Sequence, residues 1–445
     1  MMAPDTIIKR DGTRVLYDRD RIATAIFKAV ASIGGRDRLI AEQLAGIVER
    51  RLVQMYGTEP STVEDIQDLV ETVLIEEGHA ETARAYISYR NRRAQLRESR
   101  TDLALSTFNN VPYKKIYDVL RWNLDHGCES VDGLNRIIAS GNFSALVHAC
   151  EERYAAECRA AAENVLSKTG NIRVIIVAGP SSSGKTTTTI KMMETLQREG
   201  CSLKAINMDH YFFNLMEHPK DEFGDYDYET PQALDLELIN RHLEQLLNGE
   251  TIRAPDYNFH TGRRTPGVHE LVLAPHEILL IDSLHGLHAD MTRSVPPENK
   301  FKLYIETLGQ LRSDSGEFMR WADHRLMRRM IRDSWHRGHK PEDTITHWHY
   351  VRKSELQYII PYNASVDFLV NSAMPYEIPV LKHKLFNYFP AAMEQFKNNP
   401  ARQDAYIRAR RVFELLSPLT AWTNDSAVPG KSLFREFIGG SEYKY

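Results

Sequence analysis

A glycine-rich loop in the second half of the chain has the residue types and spacing that hold phosphate. Residues 179–189 read GPSSSGKTTTT and fit the pattern GxxxxGK[ST] without a gap. The glycines let backbone N–H groups turn toward phosphate, Lys185 reaches the β- and γ-phosphate oxygens, and the Thr186 hydroxyl ligates Mg²⁺. We therefore predict a site for a nucleoside triphosphate. Its residues are Gly179, Ser181, Ser182, Ser183, Gly184, Lys185, Thr186 and Thr187.

Two acidic residues end strand-like segments and could complete this site. Asp282 closes the apolar run EILLID, and an acid at such a strand end holds Mg²⁺ in nucleotide-binding α/β proteins. We predict Thr186 and Asp282 as the metal-binding residues. Asp209 closes LKAINMD, where an acid could position an attacking hydroxyl and accept its proton. A plain turn position would explain Asp209 equally well.

Arginines follow a helical stripe further along the chain. Arg325, Arg328, Arg329 and Arg332 recur at i, i+3, i+4 and i+7, and Arg337 follows shortly after. A charged stripe is often a solvated helix face. Beside a phosphate loop, guanidinium groups can neutralise the transferring phosphate and exclude water, so we predict a lid that closes over it.

The HWH stretch contributes two further polar residues, His347 and His349. They lie two residues apart and would not converge on one helix face. No cysteine or carboxylate is spaced to complete a metal site with them. We expect structural or substrate-adjacent roles.

Short continuous apolar runs alternate with helical periods around these motifs. VIIVAG and EILLID read as buried parallel strands, KLYIE and DFLVN as further strands, and LDLELINRHLEQLLNG as a helix. This alternation predicts an α/β fold, in which a parallel sheet carries helices on both faces.

The first hundred residues have a different pattern. TIIKRDGTRVLY predicts a hairpin, and helical periods follow it. In STVEDIQDLVETVLIEEG, Ser61 and Glu64 have the spacing of a capping box, and Gly78 can end the helix. Residues 100–168 read as helical without a chemical signal, and we expect a connector there.

Composition and charge narrow the class of protein. The chain has 445 residues, 42% of them hydrophobic and 26% charged, and a net charge of −4. This length allows two or three domains, and the lack of a basic excess disfavours nucleic acid as a partner. No apolar run is long enough to span a bilayer, and the four cysteines have no zinc-type spacing. We expect a cytoplasmic protein.

Residues from about 172 to 382 resemble the uridine kinase branch of the P-loop kinases, within the uridine–cytidine kinase and phosphoribulokinase superfamily. The motifs that carry the resemblance occur in family order: GPSSSGKTT, MDHYF, YETPQALD, APDYNFHTGRR, LLIDSLHGL and RLMRRMIRDSWHRG. VDFLVNSA and SLFREFIGGS look like a bacterial subgroup of uridine-kinase-like proteins. The resemblance implies a P-loop kinase that uses ATP as phosphate donor with Mg²⁺.

The resemblance also implies roles for individual residues. Asp209 orients the 5′-hydroxyl of the acceptor, Glu229 grips the ribose hydroxyls, and an aromatic wall surrounds the base. The implied substrate set is Asp209, Tyr211, Glu229, Tyr257, Phe259, Arg264, Arg329 and His347. The implied catalytic set is Lys185, Asp209, Arg332 and Arg337, with both arginines facing phosphate from the lid.

The chain departs from the family pattern mainly where the acceptor is recognised. Glu229 replaces the ribose-binding aspartate, Gly262 a histidine that contacts the pyrimidine, and His347 a glutamine that reads the base. His339 stands at the second lid arginine, and Ser283 at the glycine after the strand-end acid. The resemblance implies a nucleoside or deoxynucleoside acceptor of the uridine, cytidine or thymidine type, and the altered positions favour an acceptor other than uridine itself.

Residues 6–98 resemble an ATP-cone domain, the nucleotide-sensing module of ribonucleotide reductases and of their transcriptional regulator. IIKRDG, YDRDRI and ARAYISYRNR carry this resemblance, which implies a nucleotide at Lys9, Arg10 and Gly12. No zinc ribbon accompanies the segment, so the function of the regulator is not implied. A purely structural helical domain remains the alternative.

Together these patterns predict an ATP-cone domain at 1–99, a helical connector at 100–168, and a uridine kinase-like domain with a C-terminal helical extension at 169–445. The predicted activity is ATP-dependent phosphorylation of a nucleoside 5′-hydroxyl. ATP or dATP at the cone would adjust this activity through the state of a homo-oligomer. Two alternatives stay open: a kinase of a sugar phosphate or another small hydroxyl compound, and a nucleotide-gated binding protein without turnover.

Overall fold

The chain divides into two compact units. The computed structural model describes residues 5–9, 14–57, 59–90, 111–168, 171–220, 226, 229–259, 261–336, 338, 340–399 and 402–444. The first unit comprises Met1–Phe108 and Phe389–Arg411, and the second comprises Asn109–Tyr388 and Val412–Tyr445. The division at residues 99 and 168 stays a prediction, whereas contacts between Cα atoms place 389–411 with the N-terminal residues and 111–168 with the sheet.

The first unit begins with the predicted hairpin. β1 (Thr6–Ile8) pairs antiparallel with β2 (Arg14–Leu16). Residues 80–90 are helical, and they follow the helices Arg19–Ser32, Arg38–Tyr56 and Val63–Glu76. The apolar stripes of the three named helices meet in one core. Its most buried members include Ile26, Phe27, Val48, Leu52 and Val73.

The observed capping box lies one residue beyond the predicted one. Thr62, not Ser61, caps the helix Val63–Glu76: its hydroxyl accepts from the Asp65 N–H at 3.1 Å, and the Asp65 carboxylate accepts from the Thr62 N–H at 2.8 Å. The Ser61 carbonyl accepts instead from the Ile8 N–H of β1 at 2.8 Å. Ser61 thus pairs with β1, and the helix starts one residue later than predicted. The spacing of residues within the helix does not reveal this contact with the strand.

A buried arginine joins the C-terminal part of the first unit to its N-terminal helices. Arg38 is 3% exposed and donates to the Gln403 side chain at 3.2 Å and to Asp20 at 2.7 Å. A buried guanidinium needs such partners to offset its lost hydration. This C-terminal part contains residues of the helices Tyr388–Lys397 and Gln403–Leu416.

A parallel sheet forms the centre of the second unit. The strands after the hairpin are β3 (Val174–Ala178), β4 (Leu203–Asn207), β5 (Ile252–Asn258), β6 (Arg263–Leu271), β7 (Ile278–Ser283), β8 (Lys300–Glu306) and β9 (Phe368–Asn371). Five of them form one sheet in the order β4–β7–β3–β8–β9, while β5 and β6 form an antiparallel hairpin. The predicted α/β class and its parallel strands are confirmed.

The second unit includes three helices from the stretch at 100–168 that was predicted as a connector. The Tyr154 and Thr188 hydroxyls lie 2.7 Å apart, so the long helix before the sheet contacts the helix after the phosphate loop. The helices are Tyr113–Asp125, Val131–Ala139, Phe143–Leu166, Lys185–Arg198, Leu236–Leu247, Trp321–His336, Pro341–Ser354, Glu377–Leu385 and Arg435–Ile438. None of the helices in the described parts of the chain combines the length and hydrophobicity that a membrane crossing requires.

The register of the sheet brings three strand ends to one level. β7 lies between β4 and β3, with Asp282 opposite both Asn207 and Val177. The carboxyl ends of parallel strands share one edge of a sheet, and ligands bind there. Gly179 and Asp209 follow β3 and β4 within two residues, so both lie at this edge.

Candidate active site

The phosphate loop joins β3 to the helix Lys185–Arg198, which we call the loop helix. Gly184 has a φ angle of 90° and Ser182 one of 60°, both in the left-handed region. At Gly179 an added Cβ would lie 2.3 Å from the Ile305 carbonyl oxygen of β8. These positions explain the glycines of the motif. The first N–H groups of a helix have no helical carbonyl partners, so the end of the loop helix is suited to an anion.

Lys185 lies within this loop. Its Nζ donates to the Pro180 carbonyl at 3.3 Å. Burial lowers the pKa of Lys185, while the charges of Asp282 and Asp209 act in the opposite direction. The two carboxylates therefore favour the cationic form of the lysine, which is the form that binds phosphate.

Thr186 and Asp282 form the predicted metal pair. Thr186 Oγ1 lies 3.5 Å from Asp282 Oδ2. Burial raises the pKa of Asp282 to about 7, against the lowering effect of Lys185. A hydroxyl beside a half-buried carboxylate whose raised pKa reflects too little nearby positive charge fits Mg²⁺, which prefers oxygen ligands.

Asp209 lies at the tip of β4, in the 3₁₀ turn Met208–Tyr211. The Asn207 side chain accepts from the Asp209 N–H at 2.9 Å and holds this turn. The Asp209 residue is half-buried. Its negative charge acts to raise the pKa of Asp282 and, against the larger effect of burial, that of Lys185. Asp209 is thus within electrostatic range of the phosphate loop, as its predicted role requires.

The predicted lid stripe falls on the helix Trp321–His336, which we call the arginine helix. Arg325 and Arg328 are only 1% and 0% exposed. Arg325 pairs with Glu355 and donates to the Ser181 carbonyl at 3.2 Å, and Arg328 bonds the Glu377 carboxylate at 2.6 Å. The lid prediction is wrong for these two arginines, because buried ion pairs hold them beneath the loop.

Arg329 links the phosphate loop to the predicted ribose site. Its Nη1 donates to Ser181 Oγ at 3.0 Å and to Glu229 Oε1 at 3.1 Å. Burial alone would raise the pKa of Glu229, but the charge of Arg329 and further groups outweigh it, so the pKa is lowered. His347 Nε2 lies 3.9 Å from Glu229 Oε1, and burial lowers the pKa of His347. The structure therefore brings these three predicted substrate residues together.

Arg332 is directed to the C-terminal part of the second unit. Its Nη1 lies 3.5 Å from Glu436 Oε1, and its guanidinium lies 5.8 Å from the centre of the Phe437 ring. Arg337 and His339 fall outside the described residues, so the lid role of Arg337 stays a prediction.

An aromatic cluster contains both predicted wall residues. Tyr257 and Phe259 pack edge to face with ring centres 5.0 Å apart. Phe212 lies 5.4 Å from Tyr257, and the His218 ring is stacked on Tyr257 at 6.4 Å. Phe259 is 61% exposed, so the cluster has an open side. Phe212 and His218 were not among the predicted wall residues, although both belong to the segment that follows β4.

Two predicted substrate residues have other partners. Tyr211 is 0% exposed, and its hydroxyl lies 2.9 Å from His242 Nδ1 in the core. Arg264 donates to Asp235 at 2.9 Å. The structure thus gives Tyr211 a packing role rather than a ligand surface, because the tyrosine lies on the inner side of its 3₁₀ turn.

His285 is a further polar residue near the predicted ribose acid, and it was not among the predicted substrate residues. It is 2% exposed and follows β7 closely. Burial lowers the pKa of His285 to about 4, while the charge of Glu229 acts in the opposite direction. A neutral imidazole therefore lies near the predicted ribose acid. A histidine three residues beyond the strand-end acid Asp282, within LLIDSLHGL, was the available signal.

A second group of side chains could hold a metal. His210 Nδ1 and His269 Nε2 each lie 3.1 Å from Asp256 Oδ1, and the three ligand atoms lie within 4.8 Å of one another. Imidazole and carboxylate suit Zn²⁺, while 3.1 Å is also a hydrogen-bond length. In either form the group ties the tip of β4 to the β5–β6 hairpin.

The predicted effector site is only partly described. Lys9 directly follows β1. Arg10 and Gly12 lie outside the described residues. The effector site therefore stays a prediction.

Comparisons with known proteins match both halves of the chain. The model of the phosphoribulokinase/uridine kinase family matches residues 174–378, and that of the ATP cone domain matches residues 5–95. A uridine kinase of Deinococcus deserti is 30% identical over 205 residues, 45% of this chain and 89% of that protein. One of Macrococcus caseolyticus is 29% identical over 198 residues, 44% of this chain and 86% of that protein.

Solved structures show weaker similarity. A possible uridine kinase from Bacillus stearothermophilus shares 19% identity and a TM-score of 0.29, over 34% of this chain and 79% of that chain. A D-glycerate 3-kinase from Cryptococcus neoformans shares 12% identity and a TM-score of 0.27, over 62% of this chain and 92% of that chain. These TM-scores are too low to support any conclusion about the fold, which rests on the sheet described above.

Proposed function

Since the chain belongs to the phosphoribulokinase/uridine kinase family and is therefore a kinase, we propose that it transfers the γ-phosphoryl group of ATP to the 5′-hydroxyl of a nucleoside or deoxynucleoside. The observation that carries the proposal is the half-buried Asp209 carboxylate at the tip of β4, whose charge acts on both Lys185 and Asp282. Relatives that are named uridine kinases support a nucleoside as the acceptor.

The phosphate loop would bind the donor. Backbone N–H groups at the start of the loop helix and the Lys185 ammonium group would bind phosphate oxygens. Thr186 and Asp282 would hold Mg²⁺, which supplies positive charge to the β- and γ-phosphate oxygens. Arg325 and Arg328 would support this site from below, since they bond the loop carbonyls.

Asp209 would act on the acceptor. The 5′-oxygen attacks the γ-phosphorus while the bond from that phosphorus to the bridging oxygen of ADP breaks. The hydroxyl proton passes to the ionised Asp209 carboxylate, and ADP leaves with the electron pair of the broken bond. Lys185 would offset the charge that develops on the leaving oxygen.

The acceptor would lie between the Arg329–Glu229 ion pair and the aromatic cluster around Tyr257. Glu229 offers a carboxylate for ribose hydroxyls, and its bond to Arg329 fixes its orientation. Tyr257 and Phe259 offer ring faces to a base. His347, which stands in place of a base-reading glutamine of typical family members, and His285 add imidazole groups near Glu229.

The first unit would regulate this reaction. We infer the regulatory role from its match to the ATP cone domain. ATP or dATP would bind at Lys9, Arg10 and Gly12 and alter activity through the state of a homo-oligomer. Linkage then requires that the effector and the substrates change each other's affinity reciprocally.

A panel of acceptors tests the proposed activity. Labelled ATP is offered with ribonucleosides, deoxynucleosides and sugar phosphates in separate reactions. We expect label in a nucleoside or deoxynucleoside monophosphate. Transfer of label only to a sugar phosphate would favour the alternative of a sugar-phosphate kinase. ATP binding without transfer to any acceptor would favour the alternative of a binding protein without turnover.

Effector titration tests the regulatory part. Kinase activity and molecular mass are measured while the dATP concentration is raised at fixed ATP. We expect both to change over the same concentration range. Flat curves in both would contradict regulation through a homo-oligomer and would leave the kinase proposal intact.

A further inference from the structure

The C-terminal segment, residues 428–438, packs directly against the phosphate loop. Gly184 is so close to this segment that an added Cβ would lie 2.3 Å from Leu433 Cδ1. Phe434 and Phe437 are fully buried, and the Phe434 ring packs edge to face on Tyr376 at 5.9 Å. The segment is therefore part of the wall of the donor site.

Glu436 in this segment bonds the start of the loop helix. Its Oε2 accepts from Thr187 Oγ1 at 2.8 Å and from the Thr187 N–H at 3.4 Å. Its Oε1 lies 3.5 Å from Arg332 Nη1 of the arginine helix. Glu436 is 7% exposed, so these bonds are shielded from water. One carboxylate thus bridges two elements that both border the phosphate loop.

Both partners of Glu436 are groups predicted to bind phosphate. The Thr187 N–H belongs to the first turn of the loop helix, where backbone donors and the helix dipole attract an anion. Arg332 offers a guanidinium group to the same carboxylate from the arginine helix. A hydroxyl, a backbone N–H and a guanidinium that converge on one carboxylate define a position for an anion, and Glu436 fills it.

We propose that the Glu436 carboxylate occupies part of the donor phosphate site and lowers the affinity for the donor by competing for Thr187 and Arg332. The inference rests on the proposed function, because it takes the donor to be a nucleoside triphosphate. A bound triphosphate and the Glu436 carboxylate are both anions and cannot share the N–H and O–H groups of Thr187 and Arg332 without repulsion, so the triphosphate displaces the Glu436 side chain. Until the triphosphate binds, the carboxylate keeps these buried groups hydrogen-bonded.

The test compares two charge-removing variants of the C-terminal region. Glu436→Gln keeps the size of the side chain and removes its charge. Glu442→Gln is the matched control, because Glu442 is exposed in the same region and outside these contacts. Calorimetric titration measures the affinity of each protein for ATP and for tripolyphosphate. Thermal melting confirms that the variants are folded, and Glu436→Asp serves as a second variant with a shortened carboxylate.

Release of a charged competitor predicts about tenfold tighter binding of both ligands by Glu436→Gln. Glu442→Gln is expected to bind like the wild type, and Glu436→Asp to bind more tightly than the wild type. Tripolyphosphate separates an effect on phosphate from one on the adenosine part. Unchanged or weaker binding by folded Glu436→Gln would overturn the inference. A wild-type protein that binds no ATP would instead contradict the proposed function.

Discussion

Arg329 Nη1 lies 3.1 Å from Glu229 Oε1, and this ion pair connects the arginine helix to the predicted ribose site. The same nitrogen donates to Ser181 Oγ in the phosphate loop at 3.0 Å. One guanidinium therefore holds a residue of the proposed donor site and a residue of the proposed acceptor site in a fixed relation. Transfer between two substrates needs such a relation, because small displacements of reacting groups cost much of the rate.

We expect Glu229→Gln to raise the KM for the nucleoside about tenfold, because a charged hydrogen-bond partner of the ribose is lost. The affinity for ATP should change less, since Arg329 keeps its bond to Ser181. Steady-state kinetics with each substrate varied in turn measure the difference. Glu237→Gln is the control, because the Glu237 side chain is 79% exposed. An effect on ATP alone would contradict the assignment of Glu229.

Asp209→Asn is expected to lower turnover at least about 100-fold, because the amide cannot accept the hydroxyl proton. ATP binding should persist, since the proposed contact of Asp209 is with the acceptor. Single-turnover assays and calorimetry measure the two effects separately. Asp314→Asn serves as the control at an exposed position. A normal rate in Asp209→Asn would reject its role as the base.

Lys185→Ala should weaken ATP binding and lower turnover together, because the ammonium group contacts phosphate both before and during transfer. The same two assays separate this variant from Asp209→Asn. Lys353→Ala removes an exposed lysine and should change neither quantity. Undiminished ATP affinity in Lys185→Ala would place the triphosphate elsewhere.

Asp282 should make the ligand-free protein less stable as the pH rises. Its pKa of about 7 exceeds the ordinary value of 3.8, so between these values the folded state binds a proton that the unfolded state releases. The contribution of Asp282 to the free energy of unfolding therefore falls through this window. From about pH 5 to about pH 8 the loss is roughly 3 kcal/mol.

Denaturant unfolding of wild type and Asp282→Asn isolates this contribution. His285 contributes with the opposite sign, because its pKa is lowered to about 4, and it largely cancels when the two proteins are compared. We expect the stability of the wild type relative to the variant to decline with pH. A difference that is constant over the window would contradict the raised pKa of Asp282.

Arg38→Ala should lower the stability of the first unit by about 3 kcal/mol, because it leaves the partners of a buried arginine unpaired. Asp20 and Gln403 are the partners concerned. Chemical unfolding followed by circular dichroism measures the loss. Arg36→Ala, at an exposed position two residues away, is expected to have little effect. Equal stability of the two variants would argue against residues 389–411 belonging to this unit.

Local pattern predicted the features that depend on neighbours in the chain. VIIVAG and EILLID became β3 and β7, since continuous apolar runs bounded by polar residues suit buried parallel strands. The phosphate loop follows from glycine positions and was predicted with its helix. The capping box shifted by one residue because β1 pairs beside Ser61, a contact between residues more than fifty positions apart.

The burial of the arginines and the position of Glu436 depend on contacts between residues that are far apart in the sequence. Arg325 and Arg332 share one helical stripe, yet Arg325 is buried under the loop while Arg332 is partly exposed beside Glu436. Periodicity alone cannot tell which side of a stripe faces the core. Glu436 itself is 249 residues from Thr187 along the chain, so only the fold reveals that it reaches the phosphate loop.

The position of the transferred phosphate tests the central claim most directly. Wild-type protein and Asp209→Asn are each incubated with Mg²⁺, ATP and the best acceptor from the panel, and the product is analysed by phosphorus NMR. We predict a nucleoside 5′-monophosphate from the wild type and at most a trace from the variant. Phosphate on any other hydroxyl, or equal product from both proteins, would contradict phosphorylation of a 5′-hydroxyl directed by Asp209.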